Sequence, residues 1–276
     1  MIFNRNETTE VIALLGAGSM GTAIIRRFAA GRKILFGDIN QKNLDRVCEE
    51  FIRSGYDAEG MIVNAMDRES IENFAKKAAS LGDVKYYIHT AGASPSQASP
   101  EHILNLDMVG TGYAVDAFGK VMAKGGVGLV IASQAGYMLP FPYEVEQQIL
   151  AADTDELKNI EFIKEKTTGS GRAYMIAKHI NHLQVMKAAA TSWKERRARI
   201  LSISPGIIVT PLAYDEFNAP GNGYQNMIDT SPAMRTASSD EIADACAFLL
   251  GENAGFITGI DLLMDGGVIA ARRVSA

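Results

Sequence analysis

A chain of 276 residues, 47% hydrophobic and 21% charged, carries enough apolar material for one substantial core, which excludes a disordered or fibrous protein. Its formal net charge of −5 comes without any basic run, so neither nucleic acid nor an anionic membrane is expected as partner. No apolar run approaches the ~20 residues of a membrane span, and the opening MIFNRNETTE lacks the apolar core of a signal peptide; a soluble, cytoplasmic protein that handles a small molecule is expected.

Apolar, β-rich runs alternate with helical stretches along the chain. VIALL (11–15) leads to a helix from Ser19, KILFGD (33–38) to a helix from Asn40, and GMIVNA (60–65) to a helix with Asp67 as its N-cap. VKYYIHT (84–90) precedes a long helix from Pro100 to about Lys124, and VGLVIAS (127–133) follows it. Next come a helix carrying Tyr174 and reaching about Arg197, ARILSIS (198–204), a helix from Ser238 to Leu250, and GIDLLMD (259–265). Strands buried on both faces and joined by helical crossovers predict an α/β fold, a Rossmann-type doubly wound parallel sheet of seven strands. The chain shows no repeat and no low-complexity linker, so one domain over 1–276 is expected.

Two segments interrupt the alternation. In 137–172 the run PYEVEQQILAADTDELKNIEFIKEK has helical spacing, with Asp153 and Glu156 as a possible capping pair, and a small helical insertion is expected. The other, 211–236, is a loop rich in proline and glycine. Cys48 and Cys246 read as core thiols, and His89, His102, His179 and His182 read as structural, with no metal spacing. His179 and His182 are expected to face away from Tyr174, and Trp193 with KERRAR to form a solvated basic helix end.

GAGSMG places Gly16, Gly18 and Gly21 after a strand and at the opening of a helix, the context of a dinucleotide-binding turn. Gly16 would allow the tight turn, Gly18 the approach of a diphosphate to backbone, and Gly21 the packing of helix on sheet. Asp38, at the end of the second strand, would accept hydrogen bonds from the adenosine ribose and repel a 2'-phosphate, which favours NAD over NADP. In YMIAK, Tyr174 and Lys178 lie four apart and share a helix face. A free tyrosine with a pKa of about 10 is a poor acid or base near neutrality, and a neighbouring cation that favours phenolate would make it useful.

GAGSMG, Asp38, TAG (90–92), SQAG (133–136), YMIAK, SPGIIVTP (204–211) and ITGIDLLMDGG (257–267) stand in the order of the short-chain dehydrogenase/reductase family, which the chain resembles over nearly its whole length. The resemblance implies Tyr174 as acid/base, Lys178 on the nicotinamide ribose and lowering the Tyr174 pKa, and Ser133 on the substrate oxygen. It also implies cofactor contacts at Ser19, Met20, Ile39, Asn64, Ala65, Ala91, Gly92 and Pro205, and Thr210 with the Ile208 backbone at the carboxamide. Ser133 ends a strand at the carboxyl edge of the sheet, where open α/β sheets bind ligands and a hydroxyl can donate to a developing alkoxide.

Three departures from the family stand out. The glycine loop is one residue short and lacks the usual threonine; Asn64 and Ala65 replace the family's Asp and Val beside the adenine; and Asp107 occupies the place of an Asn near the proton-relay water. Asp107 is read either as part of that relay or as a structural residue of its helix. The long insertion, the downstream residues Pro211, Leu212, Tyr224, Pro232 and Arg235, and the tail from Asp265 to Arg272 resemble bacterial 3α-hydroxysteroid dehydrogenase/carbonyl reductases. In those enzymes the insertion obstructs the helix-to-helix tetramer interface, which implies a homo-oligomer here, a dimer before a tetramer. The implied activity is hydride transfer between NAD(H) and a secondary alcohol or ketone, with a hydroxysteroid or other alicyclic substrate. Tyr137, Met138, Leu139, Phe141, Tyr143, Tyr214, Phe217, Tyr224 and Met227 would either line an apolar substrate site or pack the insertion against the body. The alternatives are a small keto or acyl-type substrate and a non-catalytic NAD sensor.

Overall fold

A computed structural model of the chain describes residues 9–211, 213, 217 and 223–275; Leu212 and Tyr214, noted above, lie outside the described residues, as do Pro220 and Gly221 of the 211–236 loop. Seven parallel strands form one sheet in the order β3-β2-β1-β4-β5-β6-β9, with β1 Glu10–Leu15, β2 Lys33–Asp38, β3 Asp57–Ile62, β4 Asp83–His89, β5 Met122–Ile131, β6 Arg199–Pro205 and β9 Asp261–Met264. The intervening β7 (Ile208–Val209) and β8 (Ala237–Ser238) pair only with each other. Strand order reverses between β1 and β4, and the crevice beyond the carboxyl ends there is the ligand position of such sheets.

Helices cover both faces. α1 (Ser19–Arg26), α2 (Gln41–Arg53) and α11 (Ser239–Leu250) bury Ile24, Ile25, Val47, Phe51, Ile242 and Leu249 against one side. α3 (Arg68–Leu81), α5 (Thr111–Val121) and α8 (Ser170–Ala190) bury Phe74, Phe118, Val185 and Ala188 against the other. Asn40, Asp67 and Ser238 cap α2, α3 and α11 through their side chains, as the sequence predicts for Asp67.

The helix expected from Pro100 to Lys124 is instead α4 (Pro100–Ile103), a π-helical segment (Leu104–Gly110) and α5, and β5 already starts at Met122. Within the π segment the Asp107 carbonyl accepts from the Thr111 hydroxyl (2.8 Å) and from Asn181 Nδ2 (2.7 Å), side-chain bonds that compete with the α register. Gly110 leaves no room for a side chain, since a Cβ would lie 2.2 Å from the Ala65 carbonyl oxygen.

The insertion is helical: α6 (Tyr143–Ala151), a 3₁₀ turn (Thr154–Asn159) and α7 (Glu161–Lys166). Asp153 and Glu156 do not form the expected side-chain cap; the Glu156 N–H donates to the Asp153 backbone carbonyl (2.9 Å). Ile149, Leu157 and Ile163 bury against Ala173, Ile176 and Ile180 of α8, each such burial contributing about 1.5–3 kcal/mol. α8 therefore lies between sheet and insertion and is apolar on opposite sides. It ends at Ala190, and α9 (Ser192–Glu195) carries a fully buried Trp193 whose Nε1 donates to the Val115 carbonyl (3.1 Å), so Trp193 is core, while Lys194, Glu195, Arg196 and Arg197 after it are exposed as expected of that run. α10 (Tyr224–Thr230) and α12 (Val268–Val274) complete the described helices, none of which is long and apolar enough to cross a membrane.

Candidate active site

The glycine loop crosses the carboxyl end of β1. Gly16 has φ +96°, and a Cβ there would lie 2.5 Å from Ala91 N; two independent constraints demand glycine. At Gly21 a Cβ would meet the Gly16 carbonyl oxygen at 2.8 Å and Thr90 Oγ1 at 2.9 Å, the close packing expected of the third glycine. Gly18 faces open space, at a helix start with neither a side-chain cap nor an acidic first turn. Ser19 and Met20 open that helix, and its N-terminal dipole and amides suit a diphosphate.

Asp38 is tied to this loop. Its Oδ2 accepts from Ala17 N and Asn43 Nδ2, both at 2.9 Å, and its Oδ1 from Asn40 N at 2.9 Å. An ionised carboxylate offers about four acceptor positions, so one is left for a ribose hydroxyl. Asn43, which also donates to the Ala17 carbonyl at 3.0 Å, escapes sequence reasoning because a helix-face amide has no signature of its own. Ile39 is exposed beside Asp38. Asn64 Oδ1 accepts from Met66 N (3.0 Å), and Ala65 packs under the π segment. These donors and openings fit a nicotinamide dinucleotide.

Tyr174 and Lys178 share a face of α8, with Nζ 5.3 Å from the Tyr174 ring centroid. Lys178 is buried, and fully buried Asp107 reaches it with Oδ2 at 3.5 Å while Oδ1 accepts from Ala93 N at 2.8 Å. Gly92 lines the pair: its Cβ would lie 3.2 Å from Asp107 Oδ1 and 3.5 Å from Nζ. Burial disfavours the Lys178 ammonium, but Asp107 and Tyr174 more than offset it, so the pKa lies above the ordinary lysine value. Burial pushes Asp107 above the usual carboxylate value despite Lys178 and the Ala93 N–H. Thus Asp107 faces Lys178 through its carboxylate and holds Asn181 through its carbonyl; the sequence located the first group and missed Asn181.

Ser133 follows β5 and caps a 3₁₀ turn (Gln134–Tyr137), its Oγ accepting from Ala135 N at 3.2 Å. The turn presses on α8, where a Cβ on Gly136 would lie 2.9 Å from His179 N and 2.9 Å from the Lys178 carbonyl carbon. His179 and His182 meet elements other than Tyr174, the turn after Ser133 among them: a Cβ on Gly136 would also lie 2.8 Å from His182 Cε1. His179 contacts the Gly136 carbonyl and Glu146, and His182 Nε2 lies 2.9 Å from Ser204 Oγ and 3.5 Å from Asp261 Oδ2. Burial lowers the His182 pKa to about 4 and that of His89, enclosed between Tyr87 and Thr111, to about 3.

Of the aromatic and apolar residues beside the site, Tyr137 donates to Asp261 Oδ2 (2.7 Å), Leu139 is in the insertion core, Phe141 stacks on His179 and Tyr143 is exposed. They pack the insertion against the body or face solvent, the second of the two readings above. Phe217 and Tyr224 meet edge to face at 5.7 Å, and Tyr214 lies outside the described residues. Pro205 ends β6, Ile208 is buried in β7, and Thr210 Oγ1 accepts from Ala213 N at 3.2 Å.

Comparison with known proteins agrees with this architecture. A family model described as "Enoyl-(Acyl carrier protein) reductase" matches residues 144–269. The short-chain dehydrogenase/reductase bsc3 of Alternaria brassicicola is 36% identical over 262 residues, covering 94% of this chain and 95% of that protein. The 3-alpha-hydroxysteroid dehydrogenase/carbonyl reductase of Comamonas testosteroni is 29% identical over 187 residues, 66% of this chain and 72% of that protein. Among solved structures, BdcA in complex with NADPH superposes with a TM-score of 0.70 at 20% identity, covering 94% of this chain and 93% of that one, a likeness of fold. The motif order, the reversed-order parallel sheet and 36% identity to a known relative over 94% of the chain together make this chain a member of the short-chain dehydrogenase/reductase family, oxidoreductases of alcohol and ketone groups.

Proposed function

We propose that the chain transfers hydride between NAD(H) and a secondary alcohol or ketone, with an alicyclic substrate such as a hydroxysteroid. The observation that carries this reading is the buried Asp107–Lys178 pair beneath Tyr174, a charge arrangement that keeps an ammonium next to a phenol. Bound NAD(H) supplies the hydride chemistry. Tyr174 gives the proton to the carbonyl oxygen in reduction and takes it in oxidation, and Lys178 favours the phenolate by its charge. Ser133, whose Oγ accepts within its own turn, keeps its proton to donate to the substrate oxygen. Asp107 offsets the burial of Lys178 and keeps it protonated.

Asp38 supports NAD, because the carboxylate would face the 2'-phosphate of NADP. Met138, Phe217, Tyr224 and Met227, and the likeness to a hydroxysteroid dehydrogenase, support an apolar ring substrate. A screen of cyclic ketones and hydroxysteroids, read at the nicotinamide absorbance, tests the reading. Turnover is expected, with kcat/KM at least ~10-fold higher for NADH than for NADPH, and Asp38→Ala is expected to narrow that ratio. Preference of the wild type for NADPH would overturn the cofactor assignment, and binding of NADH without turnover of any ketone would favour the sensor.

We further propose a dimer through α12 and β9. The insertion covers α5 and α8: Thr154 Oγ1 donates to Asp116 (3.1 Å), Lys187 Nζ to the Ala152 carbonyl (2.7 Å), and Tyr113 hydrogen-bonds Asp155. β9 is an edge strand, and Phe256, Ile260, Leu262 and Val274 on or near it are exposed. Light scattering is expected to give the mass of two chains, reduced by Leu262→Asp; a tetramer unaffected by that substitution would reject this assembly. The shared core of insertion and α8 supports reading 1–276 as one domain.

A further inference from the structure

We propose that His179 is a positioning residue for Ser133: it ties the serine's turn to α8 and to Glu146 of the insertion, so that the insertion sets how the serine is aimed. The inference rests on the reading of Ser133, Tyr174 and Lys178 as the reacting site.

His179 follows Lys178 on α8. Its Nδ1 lies 3.0 Å from the carbonyl oxygen of Gly136, three residues after Ser133, and its Nε2 lies 2.8 Å from Glu146 Oε1 on α6. A carbonyl and an ionised carboxylate are both acceptors, while a neutral imidazole has a single N–H. The ring that serves both is the imidazolium, donating from each nitrogen, and its bond to Glu146 is then charge-assisted. Phe141 stacks on the ring at 4.0 Å between centroids and 12° between planes, and is itself held by Phe162 at 4.9 Å, which restrains rotation of the imidazole. Other titratable groups near this stack include His182, with ring centroids 5.9 Å apart and itself beside Asp261 and Tyr137, and Lys166, 5.8 Å from the Phe162 ring.

The contact acts on Ser133 through a short lever. Gly136 packs on α8 without space for a Cβ, and the Ser133 Oγ is bonded to Ala135 N inside the same turn. A shift of the Gly136 carbonyl therefore moves the whole turn, serine included. A misplacement on the order of 1 Å at a reacting group is enough to cost about 100-fold in rate.

The experiment compares kcat, KM and NADH affinity, using the fastest ketone of the screen, with long-range ¹H–¹⁵N spectra of the histidine rings. His179→Ala and Glu146→Ala are each expected to lower kcat by ~10-fold or more with NADH affinity within ~2-fold, and the double variant to be no worse than either. Glu146→Gln is expected to restore kcat to within ~3-fold, because its amide donates to the Nε2 of a neutral ring. The wild-type spectrum should show both ring nitrogens protonated, and the Glu146→Gln spectrum a neutral Nδ1–H ring. A neutral ring in the wild type, wild-type kcat in the alanine variants, or a Gln variant as impaired as Glu146→Ala would each overturn the proposal. Should Ser133→Ala keep the wild-type rate, the reading of the site fails instead. If His179→Ala does not fold, the Glu146 comparison and the spectra decide alone.

Discussion

Tyr174→Phe is expected to reduce kcat by about a hundred- to ten-thousand-fold, the range that a positioned proton donor contributes, while NADH binds within ~2-fold of wild type. The substitution removes one hydroxyl and keeps the ring that packs beside Lys178 and the insertion core. Cofactor contacts proposed at the glycine loop, Asp38 and Lys178 are untouched, so the loss should fall on kcat and not on cofactor affinity. Steady-state kinetics with a cyclic ketone, paired with fluorescence titration of NADH, measures both. Retention of more than a few percent of kcat would remove Tyr174 from the acid/base role.

Asp107 is expected to separate two effects that usually travel together. In Asp107→Leu, Lys178 is left in a buried site without a counter-charge, and breaking a buried pair from one side typically costs about 3–5 kcal/mol. The same variant should lose about 100-fold or more in kcat where the buried Lys178, deprived of its counter-charge, gives up its proton, because a neutral amine no longer favours phenolate at Tyr174. Asp107→Asn keeps the acceptor for Ala93 N but turns an amide N–H₂ toward Lys178; it should fold and stay active. The sign of its pH effect follows from charge. A carboxylate near Tyr174 opposes phenolate, so its removal should move the rising limb of the oxidation-direction profile to lower pH. Asp107 also raises the Lys178 pKa, so an upward move would mean that Lys178 loses its proton without its partner. Melting curves and kcat against pH distinguish these outcomes, and wild-type behaviour of the Leu variant across pH would make Asp107 a purely structural residue.

Much of the fold was legible because strand and helix periodicities are local. The runs 11–15, 33–38, 84–90 and 198–204 each begin and end within one residue of the observed strands, and parallel pairing follows from the helical crossovers. Gly16 and Gly21 were readable for a similar reason, since a turn between strand and helix leaves few residues able to occupy it. The relation of Tyr174 to Lys178 needed only the rise and turn of a helix. The π segment was not readable, because the bonds at the Asp107 carbonyl come partly from Asn181, a residue on another helix.

By itself, then, the sequence determined the doubly wound sheet, the turn that suits a dinucleotide, and the tyrosine–lysine face, all of which arise from residues within a few positions of one another. Tertiary structure alone decided that Trp193 is core, that Asp107 meets Lys178 at 3.5 Å, that Asn43 shares Asp38, and that His179 joins Gly136 to Glu146. Each of those contacts joins elements distant in sequence or aims a side chain within a packed interior. Their geometry is set by how sheet, α8 and insertion fill space together, which no local period encodes.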